Sequence, residues 1–597
     1  MSDRRKPQKI KFPSCPHYTL LCFKIALAAN LMSVIFNVLN DCDEVYNYWE
    51  PLHFISSLGK GGGFQTWEYS PSHGLRSYLY LWLFGWPSFV VRLFGGPSWM
   101  AFLLVRLYLA LVSVFSVTCL ASVLHKFNDQ PSFGFPLPIL FVGFFSLSPG
   151  NFLSSTTLVP SGVATSLCCL MLAAWLSGRY SLTVFSVAFM GIVIWPFAAA
   201  LGIPLAFCML FREKYISLVG SAVVSAILLV IPMLIVDSLH YGRLVLAPLN
   251  IIIYNLFARA AKVTGSASQL YGVEPVSFYL KNYLLNYNIV CLLACGFFLC
   301  AVFRVPYAWL CRSNKQTRPS RTDLYLACGL PLFVWNSIFF IQQHKEERFM
   351  FPCYPCLALG ASLFFFDLIQ YLSSCSRYER AFRHLATIFT VLLVLFFILL
   401  SFARISTLIR WYRAPVYLVR HVPSKSLRSN SHTLCMGRDW HLFPSRFLLP
   451  DLGTGRRWRI GFLRSGFRGQ LPGQYHSVAA HYGLFDSTRR DGNHFNTENL
   501  EEQDRYLKHG ASECDFLLDR DSPPGEREEL YVAQEANWTS LVNHSVLEPH
   551  LCSQVVDHWL IQSYPFLCSV FRAFYIPHFS EVVNSPVRMH ILQRVVH

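Results

Sequence analysis

Residues 18–44 read YTLLCFKIALAANLMSVIFNVLNDCDE: an apolar run whose only charge is Lys24, then three carboxylates in four positions, Asp41, Asp43 and Glu44. An apolar run of this length crosses the roughly 30 Å hydrocarbon core of a bilayer as one helix. The preceding MSDRRKPQKIK holds five basic residues, and no small-residue cleavage site follows. The run is therefore expected to be a retained first span, with residues 1–17 a cytosolic segment.

Composition extends that reading along the 597 residues. Hydrophobic residues make up 53%, charged residues only 14%, aromatics 16%, and the mean hydropathy is +0.37. Such values exclude a string of soluble domains, an intrinsically disordered chain and a disulfide-stapled miniprotein. Charge is unevenly placed. From Ser406 onward there are 21 basic and 19 acidic side chains in 192 residues, which leaves 29 and 15 for the preceding 405. The division expected is a transmembrane catalytic domain over 18–405 and a water-soluble C-terminal domain over 406–597. Most of the +16 excess thus belongs to the membrane body, where it marks the cytosolic side and is no sign of nucleic-acid binding.

Ten further apolar runs fall at 75–94, 101–124, 135–158, 160–176, 182–211, 216–236, 284–303, 324–341, 351–371 and 385–402. Eleven spans are expected, with Pro136, Pro138, Pro149 and Pro160 able to break helices or make re-entrant pieces. The basic loops 212–214, 304–321 and 377–383 then share the side of the N-terminal segment, as the positive-inside rule requires. Loops 41–74 and 237–283, the turn 344–348 and the tail fall on the other, luminal side. Asn537-Trp-Thr539 and Asn543-His-Ser545 in the tail are acceptor sequons, usable only there. Most of the 19 cysteines sit inside spans as small apolar side chains, including Cys353-x-x-Cys356. Cys435, Cys514, Cys552 and Cys568 have the opportunity to pair in an oxidising lumen, in a connectivity that sequence does not assign.

Two constellations carry chemistry. Acids clustered at a membrane edge repel one another and resist desolvation, so Asp41, Asp43 and Glu44 are candidates for a general base. The competing reading is a solvated helix end anchored by Tyr46, Tyr48 and Trp49. Asp41-Cys-Asp43 also spells the metal motif of nucleotide-sugar transferases, but no strand–helix domain surrounds it to hold a nucleotide. The second constellation is Gln342-Gln343-His344-Lys345-Glu346-Glu347-Arg348-Phe349. His344, Lys345 and Arg348 have the makings of a phosphate grip, with Arg76 in the first loop as a further contact. The alternative is a short loop of self-neutralising charges. Glu68, Tyr69, Asn250, Tyr254, Asn255, Tyr271, Glu274 and Tyr279 are types that bind sugars by hydrogen bonding and ring stacking, and are equally ordinary at a membrane interface.

Several stretches together resemble one family. DCDEVYNYWEPLHF (41–54), GFQTWEYSPSHGLRSYLY (63–80), APLNIIIYN (247–255), YGVEPVSFYL (271–280) and FIQQHKEERFMFP (340–352) resemble the glycosyltransferase family 22 mannosyltransferases of the GT-C superfamily. DWHLFPSRFLLP (439–450), FRGQLPGQY (467–475), NLEEQDRY (499–506) and FRAFYIPHFS (571–580) continue the likeness to about Ser580; the ending EVVNSPVRMHILQRVVH departs from it.

The resemblance implies a GT-C fold with large luminal loops and a luminal C-terminal domain in the endoplasmic reticulum membrane. It implies alpha-1,2 transfer of mannose from dolichyl phosphate mannose to a dolichyl-diphosphate-linked oligosaccharide, at two steps of N-glycan precursor assembly. Asp43 matches the position of the base, with Asp41 and Glu44 supporting it, while His344, Lys345, Arg348 and Arg76 stabilise the leaving phosphate. No metal and no cofactor are implied; the lipid donor is a substrate. The expected partners are the two dolichol-linked substrates and membrane lipids. The alternatives are a sister mannosyltransferase of different linkage or acceptor, as in GPI-anchor assembly, and a multispanning transporter. A transporter would place its acids near the bilayer midplane on broken helices.

Overall fold

A computed structural model describes residues 15–595, apart from 128–134, 258–271, 311–320, 376–378, 424–430, 452–456, 477–482, 491–493, 497, 548–565 and 585. Tyr271, Cys552 and most of the basic loop 304–321 lie outside the described residues. The body is helical: α1 Cys15–Phe36, α2 Tyr78–Leu93, α3 Ser98–Leu124, α4 Leu137–Ser146, α5 Pro160–Leu176, α6 Tyr180–Phe189 and α7 Ile203–Phe211, followed by α8 Tyr215–Tyr241, α9 Ala247–Phe257, α10 Ser277–Leu310, α11 Arg321–Ile341, α12 Tyr354–Cys375 and α13 Glu379–Tyr412.

Among the described residues, seven helices are long and apolar enough to cross a membrane, those at α1, α3, α8, α10, α11, α12 and α13. The other four expected spans take different forms. Stretch 75–94 is the 16-residue α2 and 160–176 is α5. Stretch 135–158 becomes α4, a turn at Leu147, and a short helix Pro149–Ser154 capped by the Ser148 side chain. The run 182–211, read as one span, is interrupted as well. It passes from α6 through a π-helical turn, Met190–Ile194, to extended backbone at Trp195 and a 3-10 segment, Pro196–Gly202. Proline is the physical reason at both places, because Pro149, Pro196 and Pro204 lack the amide that a continuous helix would need.

Burial ranks the helices. In the region of α12, 89% of the most apolar window is buried, against 17% for α8 and 22% for α13. Small residues let α12 take the central place: a β-carbon on Gly360 would come within 2.6 Å of the Phe297 ring on α10. The Cys353-x-x-Cys356 pair is buried in this core, with the Cys356 sulfur 3.8 Å from that of Cys168 on α5.

Beyond α13, which continues past the charge boundary at Ser406, the tail forms a five-stranded sheet. Its strands are β2 Ser431–Met436, β3 Arg457–Phe462, β5 Phe516–Arg520, β6 Trp538–Val546 and β7 Val587–Arg594, in the order β3-β2-β5-β7-β6. β2 runs parallel to β3 and β5, and β7 antiparallel to β5 and β6. The divergent ending thus supplies an interior strand. Cys435 on β2 is disulfide-bonded to Cys514 just before β5, and Cys568 is disulfide-bonded as well. Asn537 and Asn543 are exposed, just before and on β6.

The tail is packed onto the first loop of the body. β1, Phe64–Gln65, pairs antiparallel with β4, Gly473–Gln474. Val45, Tyr46 and Phe64 share one hydrophobic cluster with Leu434, Met436, Phe516, Met589 and Ile591 of the sheet. Glu50, fully buried, forms an ion pair with Arg446, whose side chain is 3% exposed. Its Oε1 also accepts from the Ser445 hydroxyl at 2.9 Å and the Arg446 amide at 2.8 Å, and Arg446 donates to Gln474 at 2.8 Å.

Candidate active site

The acidic cluster opens where α1 ends. Asp41 is the N-cap of a helical segment, 42–56, and accepts from the Asp43 amide at 3.0 Å. The chain between α1 and Asp41 is held by Arg106, buried within α3 and stacked over Phe102 at 4.5 Å. Arg106 donates to the carbonyls of Asn37 at 3.0 Å and Val38 at 3.4 Å, groups that the end of α1 leaves without an intrahelical partner. Sequence reading passed over Arg106, although a lone charge inside the run 101–124 is the kind of signal that marks function in a membrane protein.

The HKEERF turn joins this cluster. Arg348 donates to both carboxylate oxygens of Asp41 at 2.6 Å, and its other terminal nitrogen contacts Asp43 and Glu346. The arginine side chain is 13% exposed, whereas those of Asp41 and Asp43 are 32% and 40% exposed, so the carboxylates stay partly open to solvent. Glu346 also receives His344 at 2.9 Å. Glu347 accepts from Asn286 of α10 at 2.7 Å, and Asn286 reaches the Tyr354 hydroxyl at 2.9 Å. That anchoring fixes the turn against two helices.

Arg348, expected at the phosphate, is paired with the acids in this structure. Lys345 is buried and donates to the Gln342 carbonyl within its own turn. Glu44 points away from the cluster. Its Oε1 accepts from the Trp49 indole and the Leu158 amide, each at 2.9 Å, which ties the acidic segment to the start of α5.

The electrostatics separate the two aspartates. Burial pushes the Asp41 carboxyl up to about 6, against the pull of Arg348 and with the help of Asp43 and Glu346. Burial would raise Asp43 too, but Arg348, Arg76 and His344 outweigh it and hold this carboxyl below the usual carboxylate range. Two carboxylates whose environments drive them apart are suited to different roles, and Asp43 is the one whose ionised form its neighbours favour more. His344 is raised, chiefly by its hydrogen bond to Glu346.

Arg76 is the second arginine whose charge acts on Asp43. It is forked onto Glu68, at 2.8 and 3.0 Å, and donates to the Tyr48 hydroxyl at 2.6 Å. Tyr48 and Arg76 head a small pocket whose remaining wall is largely apolar, including Tyr80, Pro160, Ile194, Trp195, Pro196 and Ile251. The break in the run 182–211 is what opens this wall.

The expected sugar contacts divide. Glu68 is engaged by Arg76. Asn250 donates to the carbonyls of His73 and Gly74, pinning α9 to the first loop, and Tyr254 lies 5.2 Å from the Trp67 ring. Asn255 caps within its own helix, onto the Ile251 carbonyl at 2.8 Å. Tyr69 and Tyr279 are fully buried, against Tyr78 and Phe340, and belong to the core rather than to an open sugar site. Glu274 is exposed, its amide bonded to the Gln343 carbonyl beside the turn.

A profile of the Alg9-like mannosyltransferase family matches residues 21–450. The chain is 34% identical over 588 residues to the alpha-1,2-mannosyltransferase ALG9 of Mus musculus, covering 96% of this chain and 88% of that protein. It is 35% identical over 525 residues to alg9 of Schizosaccharomyces pombe, covering 83% and 84%. A distant likeness, at 12% identity and a TM-score of 0.45, is to apo ArnT from Cupriavidus metallidurans, over 76% of this chain and 87% of that one. Most of the helical body and both halves of the acid–arginine cluster fall within the matched span, and the chain belongs to the Alg9-like mannosyltransferase family.

Proposed function

We propose that this mannosyltransferase moves mannose in alpha-1,2 linkage from dolichyl phosphate mannose onto a dolichyl-diphosphate-linked oligosaccharide. The reaction belongs to two steps of N-glycan precursor assembly, on the luminal face of the endoplasmic reticulum membrane. The observation that carries this reading is the meeting of Asp41 and Asp43 with Arg348, beside a largely apolar pocket headed by Arg76. The apolar wall suits the lipid part of the donor, and Arg76 the phosphate that joins it to the sugar.

Transfer is a single displacement with inversion. The acceptor 2-hydroxyl oxygen attacks C1 of the mannose as the bond from C1 to the phosphate oxygen breaks. The hydroxyl proton passes to Asp43, and the electron pair of the broken bond leaves on dolichyl phosphate. That anion needs positive charge and no proton. Arg76 supplies it at the pocket, and Arg348 and His344 supply it by exchanging their carboxylate partners for the phosphate.

The test is transfer by the purified full chain from dolichyl phosphate mannose to the two candidate glycolipid acceptors, with the product linkage determined. Alpha-1,2 linkage on both is expected; a different linkage points to a sister enzyme, and no transfer removes the reading. The orientation is tested separately. A glycosylation acceptor placed in 304–321 is expected to stay unmodified, and Asn537 or Asn543 in the tail to be modified.

A further inference from the structure

The tail carries an exposed apolar surface at the end of α13. Two short helices, α14 Phe566–Ala573 and α15 Phe579–Asn584, form a hairpin along the last turns of α13. The Tyr575 amide donates to the Ala403 carbonyl at 2.9 Å, Arg404 to the Ala573 carbonyl at 3.3 Å, and Arg410 to Glu581 at 2.9 Å. The hairpin is also closed upon itself. Ser580 and Asn584 donate to the Phe571 carbonyl at 3.0 and 3.2 Å, and the Phe571 and Phe579 rings stack at 5.8 Å. Cys568 and Val583 fill its interior. Its outer side shows Val570, Ile576, Phe579 and Val582, each between 38% and 48% exposed.

The place of this surface along α13 identifies what covers it. Between Arg383 and Arg404 the helix runs about 20 residues with no charged side chain, one hydrocarbon thickness. Leu392, Leu395, Phe396, Leu399 and Phe402 are strongly or moderately exposed along that run, as side chains facing lipid are. Arg404 therefore stands at the edge of the hydrocarbon, and the hairpin, bonded to Ala403, Arg404 and Arg410, stands at the level of the headgroups. Scattered exposed hydrophobics are ordinary on a protein surface. Here four of them sit on one closed hairpin, which is bonded to α13 at Ala403, next to the exposed Phe402.

We infer that the outer face of the α14–α15 hairpin is a lipid-binding surface, seated in the interfacial layer of the same bilayer that α13 crosses. Short amphipathic helices take this position with their apolar side chains about 5–10 Å into the boundary between headgroups and acyl chains. α15 leads into β7, an interior strand of the tail sheet, so the contact sets the height of the sheet over the membrane. The inference does not depend on the sugar or linkage transferred.

The experiment uses the full chain in phosphatidylcholine nanodiscs, with a fluorescent amino acid at Val582, at Ile576, or at Leu541 on β6 as a control. Val582 and Ile576 lie on the outer face and make no stacking contact, so the label leaves the hairpin closed. Acyl-chain-brominated phosphatidylcholine is expected to quench both hairpin labels to roughly half, as their depth requires, and to leave the Leu541 label unchanged. Equal brightness of the hairpin labels in brominated and ordinary lipid overturns the inference. A doubled particle mass accompanying that equal brightness assigns the face to a second copy and overturns it equally.

Discussion

Arg348 and Asp41 are 307 positions apart in the chain, and the guanidinium of one meets both carboxylate oxygens of the other at 2.6 Å. The contact makes a single unit of two loops that emerge from different helices. Asp43 and Glu346 complete it on the second terminal nitrogen of Arg348. The acid proposed as base and the cation proposed for the leaving group are thus held together before either substrate arrives.

Asp43→Asn is expected to reduce transfer by about 10²–10⁴-fold, the usual worth of a general base. Donor binding, followed with a non-transferable analogue of dolichyl phosphate mannose, should change little, because the contacts of Arg76 remain. Wild-type turnover in this variant would move the role to Asp41.

Arg348→Gln should shift the acid limb of the rate profile to higher pH. In the wild type, burial tends to raise Asp43 but Arg348 and its neighbours hold it low, so the carboxylate stays ionised as the pH falls. Without Arg348 the opposing charge is diminished, the carboxyl rises, and the base is lost to protonation at a higher pH. An unshifted limb in kcat/KM against pH, which reports the free enzyme, would separate Arg348 from the base.

Arg106→Met should lower kcat while leaving the KM for donor near normal. The carbonyls of Asn37 and Val38 lose their donor, and the turn that leads to Asp41 and Asp43 loses its fixed exit. Arg106→Lys should rescue poorly, because one ammonium does not reach both carbonyls in the geometry of a planar fork. Normal kcat in either variant, with normal folded yield, would show the cap to be idle.

The buried pair of Glu50 and Arg446 is expected to matter for stability more than for chemistry. Removing one partner leaves a charge in an apolar interior, at a cost of about 3–5 kcal/mol. Arg446→Met should therefore loosen the tail from the first loop, seen as faster proteolysis after α13. The double variant Glu50→Leu with Arg446→Met should recover part of the loss.

Transfer is expected to survive excess EDTA and to gain nothing from added magnesium or manganese. Arg348 already bridges Asp41 and Asp43, the two acids of the Asp-Cys-Asp spelling, and an ion there would have to displace it and would compete for the base. Activity abolished by chelator and restored by metal would reassign Asp43 as a ligand.

Much of this arrangement was legible in residue order, and the unread parts have physical causes. Apolar run length gave the seven long helices, because crossing a bilayer sets a minimum length. It misread 182–211, where proline and a π-helical turn break a run that hydropathy alone treats as continuous. Charge clustering located Asp41, Asp43 and the HKEERF turn, but which partner Arg348 takes is a tertiary fact that spacing across 307 residues does not carry. Tyr69 and Tyr279 illustrate the same limit in reverse. A tyrosine in a polar loop has the composition of a sugar contact, and only packing places it in the core. Arg106 was visible as a charge within an apolar run and was overlooked because its partners are backbone carbonyls, which have no sequence signature.

The strand order of the tail bears on how the enzyme comes into being. β7 lies between β5 and β6, so both remain without that neighbour throughout synthesis until residues 587–594 have been made. Met589 and Ile591 on this strand also belong to the cluster that backs Val45 and Tyr46, just after the acids. A nascent chain can therefore insert all its membrane helices and still lack the wall behind its carboxylates. Completion of that wall waits on a strand translated after the described helices of the membrane body, and until then β5 keeps an open edge and β6 has no partner in the sheet.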